Sequence, residues 1–259
     1  MADDREIVTA LRALADGRDT GEAAALVASI PGNVADGLAW QIRSLRASQA
    51  AGDRLAGWKI GLTSRNSRDL MGTGIRPFGY VLANGFITSG ERLTEPALAG
   101  CRLEPELCLV IGSDLAGPAV TPSDARSAVR SVAAAFEIIT APLPGTPSVA
   151  ARVAARLNQR GIVAGAEAPV PPDVATAGVQ LRHDGVVLGS ATMNRDVIDD
   201  PFLSLARLCA ALAPYGLGLE AGQRVITGSL LAAVPAVAGH WAADFGDLGT
   251  AEITISRES

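Results

Sequence analysis

The chain has 259 residues, with 22 Lys+Arg against 27 Asp+Glu and a formal charge of −5 with both histidines neutral, so it has no broad cationic surface and is not a general nucleic-acid binder. At 48% hydrophobic and 19% charged residues the composition is globular; it excludes disorder as the dominant state and allows one large domain or two small ones. No run approaches ~18 uninterrupted apolar residues, and Asp3 and Asp4 precede any apolar run, the reverse of a secretory signal, so a soluble cytoplasmic protein is expected.

The first fifty or so residues read as helical. Glu6 to Ala15 puts Ile7, Leu11 and Leu14 on one face, and Val34 to Ala51 repeats the pattern through Leu38, Ile42 and Leu45. Gly17 and Pro31-Gly32-Asn33 punctuate them. From Leu55 onward the texture changes to strand-sized apolar runs: Gly57 to Leu62, Gly79 to Leu82, Leu103 to Ile111, Ala133 to Thr140, Gly161 to Ala164, Val179 to Arg182, Val186 to Ala191, Arg224 to Thr227 and Ala251 to Ile255. Between two of them, His183-Asp184-Gly185 carries the Asp-Gly hairpin signal. Ser148 to Leu157 and Pro201 to Leu212 read as helices, the second entered through Asp199 and Asp200 as cap candidates. Ala164 to Ala177, rich in Pro and Ala, reads as a surface loop. With no βαβ alternation, the fold class expected is α+β: a helical N-terminal region over 1–54 and a strand-rich body over 55–259.

Leu103-Glu104-Pro105-Glu106 opens the most telling strand. Residues two apart on a strand share a face, which sets Glu104 and Glu106 roughly 6 to 7 Å apart, a bite that one cation can bridge. Two such carboxylates need a shared proton, an arginine or a hard divalent metal. The alternative is a strand end with two solvated glutamates, paired with Arg102. Glu137 is the only charge inside Ser131 to Thr140, so it is either salt-bridged or a ligand. Three glutamates suit Mg²⁺ or Mn²⁺, whereas zinc or copper would favour His or Cys, and the chain has only His183 and His240.

Of the 22 basic residues only Lys59 is lysine, and it stands in Gly57-Trp58-Lys59-Ile60-Gly61-Leu62-Thr63-Ser64. A lysine kept against that arginine bias marks a position where an amine is required, to neutralise a carboxylate or move a proton; the alternative is a snorkelling strand-edge lysine. Cys101, Cys108 and Cys209 are too few and too scattered for a disulfide framework or zinc knuckle. Gly216-Leu217-Gly218-Leu219-Glu220-Ala221 follows a helix and precedes a strand, the wrong order for a dinucleotide fingerprint, and reads as a helix stop. No phosphate loop, nucleophile elbow or Cys–His pairing occurs. Val225 to Leu230 ends a strand with two hydroxyls around a glycine, either an oxyanion site or a plain turn.

With those segments in order, the chain resembles the 2-keto-4-pentenoate hydratase and 4-oxalocrotonate decarboxylase family of the fumarylacetoacetate hydrolase superfamily. The matching stretches are Gly57 to Ser64, Arg76-Pro77-Phe78-Gly79-Tyr80, Leu103 to Glu106, Ala135-Phe136-Glu137-Ile138-Ile139, and Gly218 to Gly222 running into Thr227-Gly228-Ser229-Leu230. The resemblance implies a mixed β-roll behind the helical region, with Glu104, Glu106 and Glu137 holding Mg²⁺ or Mn²⁺. It implies catalytic roles for Lys59 and Ser229, and substrate contacts from Lys59, Gly61, Leu62, Thr63, Phe78, Thr227 and Ser229. The implied activity is that of a lyase on a 2-oxo or 2-hydroxydienoic acid, whose enolate the metal stabilises. Hydration of a 2-hydroxypenta-2,4-dienoate-like substrate is expected first. Decarboxylation of a 4-oxalocrotonate-type acid, tautomerisation or cyclisation of another metabolite, and a non-catalytic accessory subunit are the alternatives. The implied partners are a small 2-oxo acid, other copies of the chain in a homo-oligomer, and a hydratase/decarboxylase complex. A carbon–carbon hydrolase is disfavoured, because no histidine precedes His183. The chain departs from the family pattern at Val81 to Gly85, which lacks acids at Ala83 and Asn84, at Thr140-Ala141-Pro142, and at Arg156 to Arg160.

Overall fold

The computed structural model describes residues 3–17, 21–94, 98–194 and 196–257; the stretch 18–20 of the expected helical region lies outside the described residues. Helix α1 (Asp4–Ala15) starts at a capping box in which Asp3 and Glu6 satisfy each other's backbone N–H groups. It packs Ala10 and Leu11 against α2 (Glu22–Ala28) and α5 (Val149–Ala154) in a small apolar cluster. Helix α3 (Val34–Ala50) has its own capping box from Asn33 and Asp36, and its Ile42 and Leu45 enter the main core. The buried Gln41 amide ties it inward, donating to Phe78 O at 2.9 Å and Val153 O at 2.7 Å.

The strands form two sheets. One holds β1 (Leu55–Ile60), β2 (Phe78–Leu82), β3 (Phe86–Thr88), β5 (Arg102–Ile111), β6 (Val129–Ile139), β7 (Gln159–Ala168) and β10 (Arg224–Ser229), in the order β2-β1-β10-β5-β6-β7-β3, with β11 (Val234–Pro235) also on β5. The other runs β4 (Arg92–Thr94), β13 (Thr250–Ser256), β12 (Gly239–Asp244), β8 (Gly178–His183), β9 (Val186–Thr192). Pairings are antiparallel except β1 with β10, β3 with β7, and β13 with β4. The result is a mixed α/β fold with curled sheets.

Strand parity decides where the site falls. On β5 the odd residues Leu103, Leu107, Leu109 and Ile111 enter the main core, as do the even residues Val132, Ala134, Phe136 and Ile138 of β6. The opposite face carries a smaller apolar cluster of Val81, Cys108, Ala133, Ala135, Ile162 and Ile226. Continuing along that second face, the parity brings up Glu104 and Glu106 on β5 and Glu137 on β6, with Glu104 and Glu137 directly opposite in the register.

Every strand-sized run read from the sequence is a strand, and Asp184 (φ 48°) with Gly185 (φ 80°) makes the expected hairpin turn. Helix α6 (Pro201–Leu212) starts at Asp200, whose side chain accepts from Phe202 N and Leu203 N. Two expectations are corrected. The helix expected over 148–157 ends at Ala154, because Arg156, Leu157 and Asn158 turn left-handed (φ 54°, 54° and 63°). The loop expected over 164–177 is strand as far as Ala168, where Ala164 pairs with Ala135 and Ala168 with Val132; Val174 and Ala177 are buried beyond it. Strands β3, β4, β11 and β12 and helix α4 (Pro122–Ala128) are additional. All three cysteines are free and buried, and among the described residues no helix is long and apolar enough to cross a membrane.

Candidate metal centre and substrate cavity

Glu104, Glu106 and Glu137 each offer a carboxylate oxygen, and these lie within 4.8 Å of one another. Lys59 reaches the same point from β1, where it stands opposite Ile226 and Gly79. Its Nζ donates to Glu137 Oε1 at 2.7 Å, and both side chains are buried. Its second neighbour is Leu157 O at 3.5 Å. Glu106 is anchored by the Gly228 N–H, which donates to Oε2 at 2.6 Å. Gly228 has φ +110°, and a Cβ there would overlap Thr63 Oγ1, so the bulge that aims this N–H needs glycine for both conformation and space.

Three carboxylates against one ammonium leave the cluster strongly anionic in a dry setting. Burial, followed by the Glu137 charge, pushes the Glu104 carboxyl up to about 7. The same causes, with Glu104 added, raise Glu106 well above the carboxylate range. A donor set of oxygens alone, clustered and electrostatically unsatisfied, fits a hard divalent cation such as Mg²⁺ or Mn²⁺ and offers a soft metal no sulfur or imidazole.

The cluster opens into a cavity of about 550 Å³. Gly61, Leu62, Thr63 and Ser229 line it, as expected, together with Lys59 and the three glutamates. Phe78 and Thr227 do not. Phe78 pairs with Ile60 and packs edge-on to Trp58 at 5.7 Å between centroids, on the core face of its strand. Thr227 shares the core-facing parity of Val225, and its carbonyl accepts from Thr63 Oγ1 at 2.8 Å. Ser229 presents its hydroxyl to Pro105 O at 2.8 Å and Leu231 O at 2.9 Å, and accepts from Leu231 N–H at 3.3 Å.

Ile139, Leu157, Val197, Leu230 and the wall Ser64 to Ser67 also border the cavity; of these, Ser64, Ile139 and Leu230 fall in stretches singled out from the sequence, but none is assigned a role there. Leu157 comes from the left-handed turn, and a Cβ on Gly61 would overlap its Cδ1. Three consecutive left-handed non-glycine residues cost about 1–2 kcal/mol each. They are held by the buried Arg156 guanidinium, which donates to Gln159 Oε1 at 2.7 Å and Tyr80 O at 3.2 Å and stacks 4.9 Å from the Tyr80 ring centroid. Strain so held at a cavity wall is characteristic of functional sites. Ala83 and Asn84, where the chain departs from the family pattern, are not part of the lining. Neither histidine lines it: His183 stacks on Trp241 at 4.1 Å, and His240 lies 3.7 Å from Glu252.

Fold and site together set three clustered carboxylates, which could hold a divalent metal ion, at the edge of a cavity in a two-sheet α/β body. No family model matches the sequence. The chain is 30% identical over 203 residues to 2-hydroxyhexa-2,4-dienoate hydratase of Comamonas testosteroni, covering 76% of each protein. It is 31% identical over 189 residues to a 4-oxalocrotonate decarboxylase of a Pseudomonas species, covering 71% of each. Its fold matches that of the 4-oxalocrotonate decarboxylase from Pseudomonas putida G7, solved with magnesium and adipate, at a TM-score of 0.82, 22% identity and 99% of both chains. The chain belongs to the 2-keto-4-pentenoate hydratase and 4-oxalocrotonate decarboxylase family, and is a metal-dependent lyase.

Proposed function

We propose that the protein hydrates a 2-hydroxypenta-2,4-dienoate-like acid, with Glu104, Glu106 and Glu137 as metal ligands and Lys59 as the proton-handling group. The observation that carries this reading is the convergence of three carboxylates and the one lysine of the chain on a single cavity. A bound Mg²⁺ or Mn²⁺ supplies Lewis-acid polarisation of the 2-oxo group and stabilises the negative charge that develops when a proton moves.

The chain's own residues supply the rest. Glu137 holds the Lys59 ammonium at 2.7 Å, which keeps a proton at Nζ on the cavity wall for delivery to the substrate carbon skeleton. Ile139, Leu157, Val197 and Leu230 enclose that skeleton and exclude bulk water from it. The hydroxyls of Ser64 and Ser67, 2.7 Å apart on the opening wall, offer a polar station for the water that adds. Ser229 acts by positioning: its bonds to Pro105 O and Leu231 O fix the turn beside Glu106. Gly61, Leu62 and Thr63 contact the ligand. In this reading residues 1–54 form a helical support and 55–259 a catalytic β-roll, and the protein works as a homo-oligomer in the cytoplasm.

Decarboxylation of a 4-oxalocrotonate-type acid is the second reading, favoured by the 31% identity to a decarboxylase. The test is ultraviolet absorbance of freshly generated 2-hydroxypenta-2,4-dienoate with the purified protein, with and without Mg²⁺ or Mn²⁺. Metal-dependent loss of the dienol signal, with 4-hydroxy-2-oxopentanoate as product, is expected. Turnover of 4-oxalocrotonate alone moves the assignment to the decarboxylase, and turnover of neither contradicts both.

A further inference from the structure

Behind the glutamate cluster stands a cation that neither the metal centre nor the cavity lining uses. Arg156 is 4% exposed, does not line the cavity, and belongs to no ion pair among the described residues. Its guanidinium is spent on Gln159 Oε1, Tyr80 O and the face of the Tyr80 ring, and the Tyr80 hydroxyl lies 2.9 Å from Ser44 Oγ on α3. A guanidinium stays charged when buried, and burying one without a carboxylate is costly, so space-filling alone does not account for it.

What the guanidinium holds lies against Lys59. Gly79 is opposite Lys59 in the pairing of β1 with β2, and a Cβ there would stand 3.0 Å from Arg156 Cβ and 3.1 Å from Lys59 Cγ, so the two cationic side chains pack over one glycine. Of the three left-handed residues, Arg156 offers its carbonyl to the Gln159 N–H and Asn158 its carbonyl to the Thr140 N–H at 2.8 Å. The middle carbonyl, Leu157 O, instead faces Lys59 Nζ at 3.5 Å, while the Leu157 side chain lines the cavity. An ammonium has three N–H donors. Glu137 Oε1 takes one at 2.7 Å and Leu157 O a second, longer one, which leaves the third for the cavity that Lys59 lines.

We infer that Arg156 is a positioning residue for the reaction: it holds the turn that sets Leu157 O against Lys59, and so aims the remaining N–H of the ammonium into the cavity. The inference rests on the proposed role of Lys59 as the proton-handling group and adds what fixes its direction. It also places a determinant of turnover in a stretch where the chain departs from the family pattern.

Two readouts test it, one of them independent of turnover. Because Lys59 is the only lysine, lysine-selective ¹⁵N labelling gives a single side-chain ammonium resonance. In the Mg²⁺-loaded wild type it should be sharp, and in Arg156→Met shifted and broadened. With 2-hydroxypenta-2,4-dienoate, Arg156→Met should lower kcat about 10- to 100-fold with KM within about twofold of the wild type and Mn²⁺ affinity unchanged. Adding Asn158→Gly to Arg156→Met, which lets the backbone turn left-handed without help, should recover part of kcat and of the ammonium signal. Arg156→Lys keeps a buried donor and should lower kcat about 3- to 10-fold. A wild-type ammonium resonance in Arg156→Met, or a variant that loses stability while kcat stays at the wild-type value, overturns the inference; if Arg156→Met does not fold, wild-type kcat and resonance in Arg156→Lys do the same. A wild type that leaves the dienoate unchanged contradicts the proposed function, and the ammonium resonance still decides whether Arg156 positions Lys59.

Discussion

Replacing Glu104 by glutamine should stabilise the metal-free protein and destabilise the metal-loaded one. Glu104 stands opposite Glu137 on the neighbouring strand, and its carboxyl is raised from 4.5 to about 7, first by burial and then by that charge. At about 1.4 kcal/mol per pKa unit, ionising it in the folded protein costs about 3 kcal/mol. Because the folded value lies above the unfolded one, the wild type keeps its full stability below about pH 4.5 and loses it progressively as pH rises to about 7. The neutral amide does not titrate. In urea unfolding with a chelator present, Glu104→Gln should match the wild type at pH 4 and exceed it by about 1–3 kcal/mol at pH 8. Adding Mg²⁺ at about 100 times its Kd should return about 2.7 kcal/mol to the wild type and markedly less to the variant. A variant less stable than the wild type at pH 8 in chelator, together with a wild type indifferent to Mg²⁺, would refute the reasoning.

Other substitutions probe the remaining parts. Lys59→Met removes the partner of Glu137 and the proton carrier, so turnover should fall about 10²- to 10⁴-fold while calorimetry still detects metal binding. A variant that loses only stability, with turnover intact, would assign Lys59 a purely structural role. Gly228→Ala forces a side chain onto φ +110° and against Thr63, and should cost about 1–3 kcal/mol in denaturant together with about 10- to 100-fold in metal affinity through the displaced Glu106. Gly61→Ala pushes the flexible end of Leu157 into the cavity; steady-state kinetics should show a raised KM, with the unfolding midpoint near that of the wild type.

The metal centre was legible because a strand has a period of two. Glu104-Pro105-Glu106 is a pair on one face, and a lone acid inside Ser131 to Thr140 has few ways to be satisfied. Parity also bears on the residues that the cavity leaves out. Phe78 belongs to the main core and Thr227 is buried with the parity of Val225, and neither lines the cavity, whereas Lys59 and Gly228 do. Helix α4 carries a local signal in its sequence: Thr121 and Asp124 form a capping box with Pro122 in the first turn. Strand β12 hides behind Gly239-His240-Trp241, where only Trp241 shows a clear apolar inward residue. The Arg156–Asn158 turn carries no local signature at all. It exists because a buried guanidinium and the Tyr80 ring, distant in sequence, hold it.

The metal centre is tested most directly by Mn²⁺ binding followed by electron paramagnetic resonance, in the wild type and in Glu106→Gln. One tightly bound Mn²⁺ per wild-type chain, displaced by Mg²⁺ and lost in Glu106→Gln with an unchanged circular dichroism spectrum, is the predicted result. Equal Mn²⁺ affinity in the two proteins would contradict the assignment of Glu104, Glu106 and Glu137 as its ligands.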